Sequence, residues 1–125
     1  MTRRFLLDSV ILIDHFNGVS QATEFIEQQA SAASISVITR AEVLAGFDDR
    51  DIAKAKSLLD WFYAYPIDNT VADLGAQLRH SLRLKLPDAL QAAVAVAHDL
   101  VLVTRNTKDF KGEKVPLRYQ VPYEI

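Results

Sequence analysis

The chain has 125 residues, half of them hydrophobic and 24% charged, with a formal net charge of −2 and no cysteine. This size and balance suit one globular domain, residues 1–125, built around a single core. The charge offers no global attraction to nucleic acid or an anionic membrane, and the missing cysteines exclude disulfides, thiol catalysis and zinc–thiolate sites.

No stretch approaches the roughly 20 apolar residues of a membrane span. The basic start, Thr2-Arg3-Arg4, is not read as a signal peptide, because Asp8 and Asp14 break the apolar run behind it. The run Phe5-Leu6-Leu7 enters through charges and stops on Asp8, as a buried strand of a parallel sheet would. A short helix, Ser9 to Phe16, follows, with Ser9 a candidate cap and Asn17-Gly18 a stop signal. Asp14 on that helix is expected at the surface. Ser20 can cap a second helix carrying Ala22, Phe25, Ile26 and Ala30 at helical spacing.

Ser34-Ile35-Ser36-Val37-Ile38 alternates polar and apolar and predicts a second strand. Thr39 to Gly46 then reads as a helix, with Thr39-Arg40-Ala41-Glu42 spaced as a capping box. Asp51 to Tyr63 is predicted as an amphipathic helix, and Tyr65-Pro66-Ile67 as a short edge strand. Asn69 or Thr70 can cap a helix through Leu82. Pro87 marks the first turn of an alanine-rich helix ending at His98. Val101-Leu102-Val103 is a buried strand closed by Thr104-Arg105-Asn106, and Tyr119-Gln120-Val121 offers a last edge strand. Strands separated by helices predict an α/β three-layer sandwich: a short, mainly parallel central sheet of four or five strands flanked by helices.

In such a sheet the helix amino termini lie at the carboxyl ends of the strands. Asp8, Glu42, Asp88, Asn106 and Asp109 therefore fall on one edge, although they come from separate segments. Singly, each has an ordinary reading as a cap or a first-turn acid. Together, clustered carboxylates repel unless a cation neutralises them, and an oxygen-only set suits Mg²⁺ or Mn²⁺. His15, His80 and His98 have no ligand spacing and are assigned to the surface or its boundary. A metal held by acids in an open cleft can activate water against a phosphodiester, which makes nuclease chemistry the economical use. Arg83, Lys85, Arg105 and Lys108 flank the later acids and can draw in an RNA backbone. No aromatic run suggests base stacking.

Four stretches resemble, in order, the motif blocks of PIN domains, above all those of VapC-type toxins of type II toxin–antitoxin systems. They are Phe5 to Ile13, Ser36 to Gly46, Leu86 to Ala95 and Val103 to Phe110. The resemblance implies a Mg²⁺- or Mn²⁺-dependent cytoplasmic endoribonuclease that cuts tRNA or rRNA and arrests translation. It also implies a homodimer and a cognate antitoxin that blocks the cleft and alone contacts operator DNA. Asp8, Glu42 and Asp88 match the family's first three acids. Ser9 and Thr39 match hydroxyl residues beside the first and second acids, and Thr104 stands beside the fourth position. There Asn106 replaces the aspartate of many members, which leaves Asn106 and Asp109 as alternatives. The competing reading is a non-catalytic PIN-like module that binds RNA or protein. A receiver domain fits less well, since Asp8 lacks a paired acid. So does a haloacid-dehalogenase phosphatase, which wants Asp-x-Asp where the chain has Asp8-Ser9-Val10.

Overall fold

A computed structural model describes residues 2–110 and 117–125, with residue 109 described by its backbone alone. Its strands are β1 (Phe5–Leu7), β2 (Ala33–Ser36), β3 (Ala64–Tyr65), β4 (Val101–Val103) and β5 (Arg118–Gln120). They form one five-stranded sheet in the order β3-β2-β1-β4-β5, and each neighbouring pair is parallel. The helices are α1 (Ser9–Phe16), α2 (Ser20–Gln29), α3 (Val37–Ala45), α4 (Ile52–Leu59), α5 (Asn69–Leu82) and α6 (Leu86–Ala97). None of the described helices is long and apolar enough to cross a membrane.

Side chains of successive strand residues point to opposite faces, and this alternation divides the core in two. Leu6 and its register partner Leu102 join Val71 and Leu78 of α5 and Ala89 and Ala92 of α6. Phe5 and Leu7 join Ile11 and Leu12 of α1, Ile26 of α2, Val43 of α3 and Leu59 of α4. The three-layer arrangement is thus the one the sequence predicts. Helices α5 and α6 lie close, because a Cβ at Gly75 would stand 2.7 Å from Leu90 Cδ2.

Several boundaries differ from the sequence reading. β2 stops at Ser36, whose hydroxyl caps α3 by accepting from the Thr39 amide at 3.2 Å, so Val37 and Ile38 form the first helical turn. The capping box at Thr39 is therefore absent, and Glu42 lies in the second turn of α3, not the first. The alternation Ser34-Ile35-Ser36 does not mark a solvated face either. Both serines are fully buried, and Ser34 donates to the Phe5 carbonyl at 2.8 Å. α4 ends four residues early, since the Tyr63 carbonyl is taken into the sheet by the Ile35 amide at 3.0 Å. β3 stops before Pro66, which has no N–H to continue a ladder. Asp8 and Asp68, not Ser9 and Asn69 or Thr70, cap α1 and α5.

The strand order places the site. From β1 the chain winds outward through β2 and β3, then returns to lay β4 on the other side of β1. The reversal between β1 and β4 is a topological switch point, and ligands of open α/β sheets bind in the crevice outside the strand carboxyl ends there.

Candidate active site

Asp8 and Thr104 are the first residues beyond β1 and β4, strands paired with Leu7 opposite Val103, so they flank the switch point. The Asp8 amide donates to the Val103 carbonyl at 2.9 Å. The Asp8 carboxylate caps α1 through Oδ1, which accepts from the Ser9 amide at 2.8 Å, and its Oδ2 accepts from the Thr104 hydroxyl at 2.7 Å. Thr104 is itself fully buried, and its Oγ1 accepts from the Asn106 amide at 3.0 Å. Thr104 thus joins the first expected ligand to the segment carrying the fourth.

Glu42 and Asp88 converge on the same place. Asp88 lies in the first turn of α6, as predicted, where the helix dipole favours a negative charge. Glu42 is an exposed residue of α3, yet partial burial of its carboxyl raises its pKa above the usual carboxylate value. The Asp8 and Asp88 charges push in the same direction, while a hydrogen bond from the Ser9 side chain partly offsets them. Glu42 therefore lies within reach of both Asp8 and Asp88, with Ser9 between it and Asp8. Asn106 is exposed at the end of the β4 loop. The Asp109 side chain, the remaining expected ligand, lies outside the described residues.

Beneath these acids runs a polar network that the sequence reading missed. Gln91, only 2% exposed, receives a hydrogen bond from the Ser36 hydroxyl on Oε1. Its Nε2 donates to Thr39 Oγ1 at 2.5 Å and lies 3.4 Å from Asp8 Oδ1. Thr39 in turn donates to the Leu7 carbonyl at 3.0 Å. Thr39 thereby supports the backbone just before Asp8. Every described buried side-chain N or O atom has a partner. The signal for Gln91 was present: it is the one polar residue in the run Ala89 to Ala97, and a polar group in a buried stretch calls for a buried partner.

Asp14 corrects another expectation. It is 6% exposed rather than at the surface, and it receives Arg105 Nε at 2.6 Å, Arg105 Nη2 at 2.9 Å and the Tyr123 hydroxyl at 2.7 Å. Burial pushes the Asp14 pKa up, but the bonds from Arg105 and Tyr123 and the Arg105 charge outweigh it and hold the carboxyl below its ordinary value. The same contacts raise the Arg105 pKa, while burial and the bond to Asp14 raise that of Tyr123. Arg105, expected among the RNA contacts, is therefore engaged by a carboxylate. Lys85 and Lys108 are exposed. Arg83 caps α5 in the left-handed conformation and lines a cavity of about 720 Å³ with Arg79, His80 and Leu86.

The donor set fits a hard cation. It is entirely oxygen, and the push of the Asp8 and Asp88 charges on Glu42 is what a divalent ion relieves. Among the described residues no three Asp, Glu or His side chains form a ready-made ligand cluster. Mg²⁺ is usually held through one or two carboxylates and retains several waters, so it does not need a closed protein cage.

Comparisons with known proteins bear on the family and the fold. A toxin–antitoxin complex from Klebsiella pneumoniae contains a chain 38% identical in sequence, matched over 96% of this chain and 98% of that one with a TM-score of 0.84. DNA-bound VapBC from Salmonella typhimurium matches at 22% identity over 94% and 97% of the two chains, with a TM-score of 0.81. FitAcB from Neisseria gonorrhoeae matches at 22% identity over 97% and 99%, with a TM-score of 0.80. The latter two likenesses concern the fold. A search of curated proteins finds no match. The PIN domain family model matches residues 5–112, which include all four motif blocks and the switch-point acids, and the chain belongs to the PIN domain family.

Proposed function

We propose that the protein is a toxin of the VapC type: an endoribonuclease dependent on Mg²⁺ or Mn²⁺ that cuts tRNA or rRNA and so arrests translation. The observation that carries this reading is the gathering of acids at the sheet's switch point: the Asp8 carboxylate accepts from the Thr104 hydroxyl at 2.7 Å, and Glu42 takes a hydrogen bond from the side chain of the adjacent Ser9. Such a site is costly to a metal-free fold and useful once a cation is bound. An ion held there would supply the positive charge that acidifies a water and offsets charge developing on the phosphodiester.

In this reading Asp8, Glu42 and Asp88 hold the ion, with Asp109 or Asn106 completing the acidic edge. Ser9, Thr39 and Thr104 fix the orientation of the carboxylates, and Gln91 belongs with them. Asn106 orients the attacking water with its uncharged side-chain oxygen. Arg83, Lys85 and Lys108 attract the RNA backbone, and the Arg79 and His80 side chains beside Arg83 extend that basic surface. The similarity to a chain from a toxin–antitoxin complex supports a cognate antitoxin as partner. Homodimerisation, a cytoplasmic site of action and contact with operator DNA solely through the antitoxin complete the proposal.

The test is purified, antitoxin-free protein incubated with tRNA and rRNA in Mg²⁺ or Mn²⁺. Cleavage that EDTA and Asp88→Ala both abolish is the expected result. Cleavage by the variant at the wild-type rate, or no cleavage of any RNA by the wild type, would overturn the enzymatic reading in favour of a binding module.

A further inference from the structure

We infer that Asp14, Arg105 and Tyr123 form a clamp that fixes the segment Thr104 to Asn106 against Asp8, with Arg105 a positioning residue rather than an RNA contact. The catalytic consequence rests on the nuclease reading above; the clamp itself does not.

The geometry is that of one rigid body gripped twice. α1 begins at its cap, Asp8, and carries Asp14 further along the same helix. Two consecutive residues after β4 attach to it: Thr104 donates to Asp8 Oδ2 at 2.7 Å, and Arg105 forks onto both oxygens of Asp14 at 2.6 and 2.9 Å. Thr104 is also held by its amide, which donates to the Gln120 carbonyl at 3.1 Å, so the chain beyond it is free to turn only from Arg105 onward. The Arg105 fork removes that rotation and sets where Asn106, whose amide rests on Thr104 Oγ1, presents its side chain.

Tyr123 completes the clamp from the carboxy-terminal segment by donating to Asp14 Oδ2 at 2.7 Å. The pair differs in kind from Arg40–Asp60 and Arg118–Asp99, whose acids are 65% and 93% exposed, against 8% for the Asp14 side chain. Bidentate Arg–carboxylate pairing specifies orientation as well as attraction. A buried ion pair is a weak source of stability beside apolar side chains of the same volume, so fixed geometry is the gain here. Asp14 also offsets the Arg105 charge, which weakens its pull on a phosphate.

Two measurements on Arg105→Lys, Asp14→Asn and the mild variant Tyr123→Phe test this. The first is backbone amide exchange of the metal-free protein. The Asn106 amide should exchange about tenfold or more faster in each variant while the Asp8 amide, bonded to Val103, keeps its protection, a local opening rather than global loss. The second is steady-state RNA cleavage. kcat should fall by about tenfold or more in Arg105→Lys and Asp14→Asn, and less in Tyr123→Phe, with KM nearly unchanged, because small misplacements of reacting groups cost rate. Asp14→Asn combined with Arg105→Lys should be no worse than either alone.

Unchanged exchange at Asn106 in all three variants, or a loss of protection spread evenly over the sheet, overturns the clamp. An RNA-contact role overturns it too, and would appear as a raised, salt-sensitive KM in Arg105→Lys and a lowered KM in Asp14→Asn. Local opening at Asn106 with no wild-type cleavage of any RNA supports the clamp and refutes the nuclease reading alone.

Discussion

Asp8 does with one carboxylate what the sequence offers as alternatives: it caps α1 through Oδ1 and stands at the switch point among the acids. Glu42 shows the cost of placing a carboxyl here, through burial first and then the Asp8 and Asp88 charges. Its raised pKa means that the folded chain holds this proton more tightly than the unfolded chain, whose ordinary value is 4.5. Stability from such a group is fully present below pH 4.5 and is lost as pH rises through the folded value. In metal-free solution at neutral pH, Glu42→Gln should therefore have a higher Tm than the wild type, and the gap should close in acid below the unfolded value. Added Mn²⁺ should raise the wild-type Tm more than that of the variant. A Tm for Glu42→Gln at or below the wild type at neutral pH contradicts the coupling. Gln91→Leu keeps the volume but leaves the buried Ser36 hydroxyl without its acceptor and takes the Gln91 donor from Thr39 Oγ1, and should cost about 1–3 kcal/mol in urea unfolding. The acids were legible because their chemistry is unusual for an edge. Asp14 was not, since its partners Arg105 and Tyr123 lie 91 and 109 residues away and helical spacing says nothing of them.

Elements were legible where a local rule and the tertiary packing agree. Phe5-Leu6-Leu7 and Val101-Leu102-Val103 are short apolar runs covered on both faces, and both appear as strands. The boundary at Ser36 was misread because Val37 and Ile38 are good strand formers, and the cap bond from Ser36 to the Thr39 amide decides for helix. α4 lost its last residues to the sheet bond at Tyr63, a contact outside any local window. The α5–α6 pair is closely packed where Gly75 faces Leu90. Alanine there meets only the flexible end of Leu90 and gains helix propensity, so Gly75→Ala should stay within about 1 kcal/mol of the wild type. Gly75→Val adds bulk that Leu90 cannot yield to, and should destabilise by about 1–3 kcal/mol in denaturant unfolding. Equal stability of the valine variant would show that the helices are not locked at this point.

The whole molecule assembles its site through topology: a reversal of strand order between β1 and β4 sets Asp8 beside Thr104, and α3 and α6 bring Glu42 and Asp88 to the same crevice. That convergence follows from the parallel sheet, which is why the pattern of strands and acids could be read in advance. The buried supports, Ser36, Gln91 and the Asp14 clamp, depend on side-chain directions that the pattern does not encode. The central claim is that Asp8 serves a cation and not only a helix cap, and Asp8→Asn separates the two roles. Asparagine caps a helix about as well as aspartate through its one side-chain oxygen; its amide nitrogen then faces Thr104 Oγ1 as a donor, so the Thr104 hydroxyl turns to accept, and the charge is removed. The decisive measurement is Mn²⁺-dependent RNA cleavage by Asp8→Asn beside wild type, on protein whose thermal unfolding shows the fold intact. A fall in rate of about a hundredfold or more at nearly unchanged Tm is predicted. Cleavage at the wild-type rate would reduce Asp8 to a cap and contradict the account.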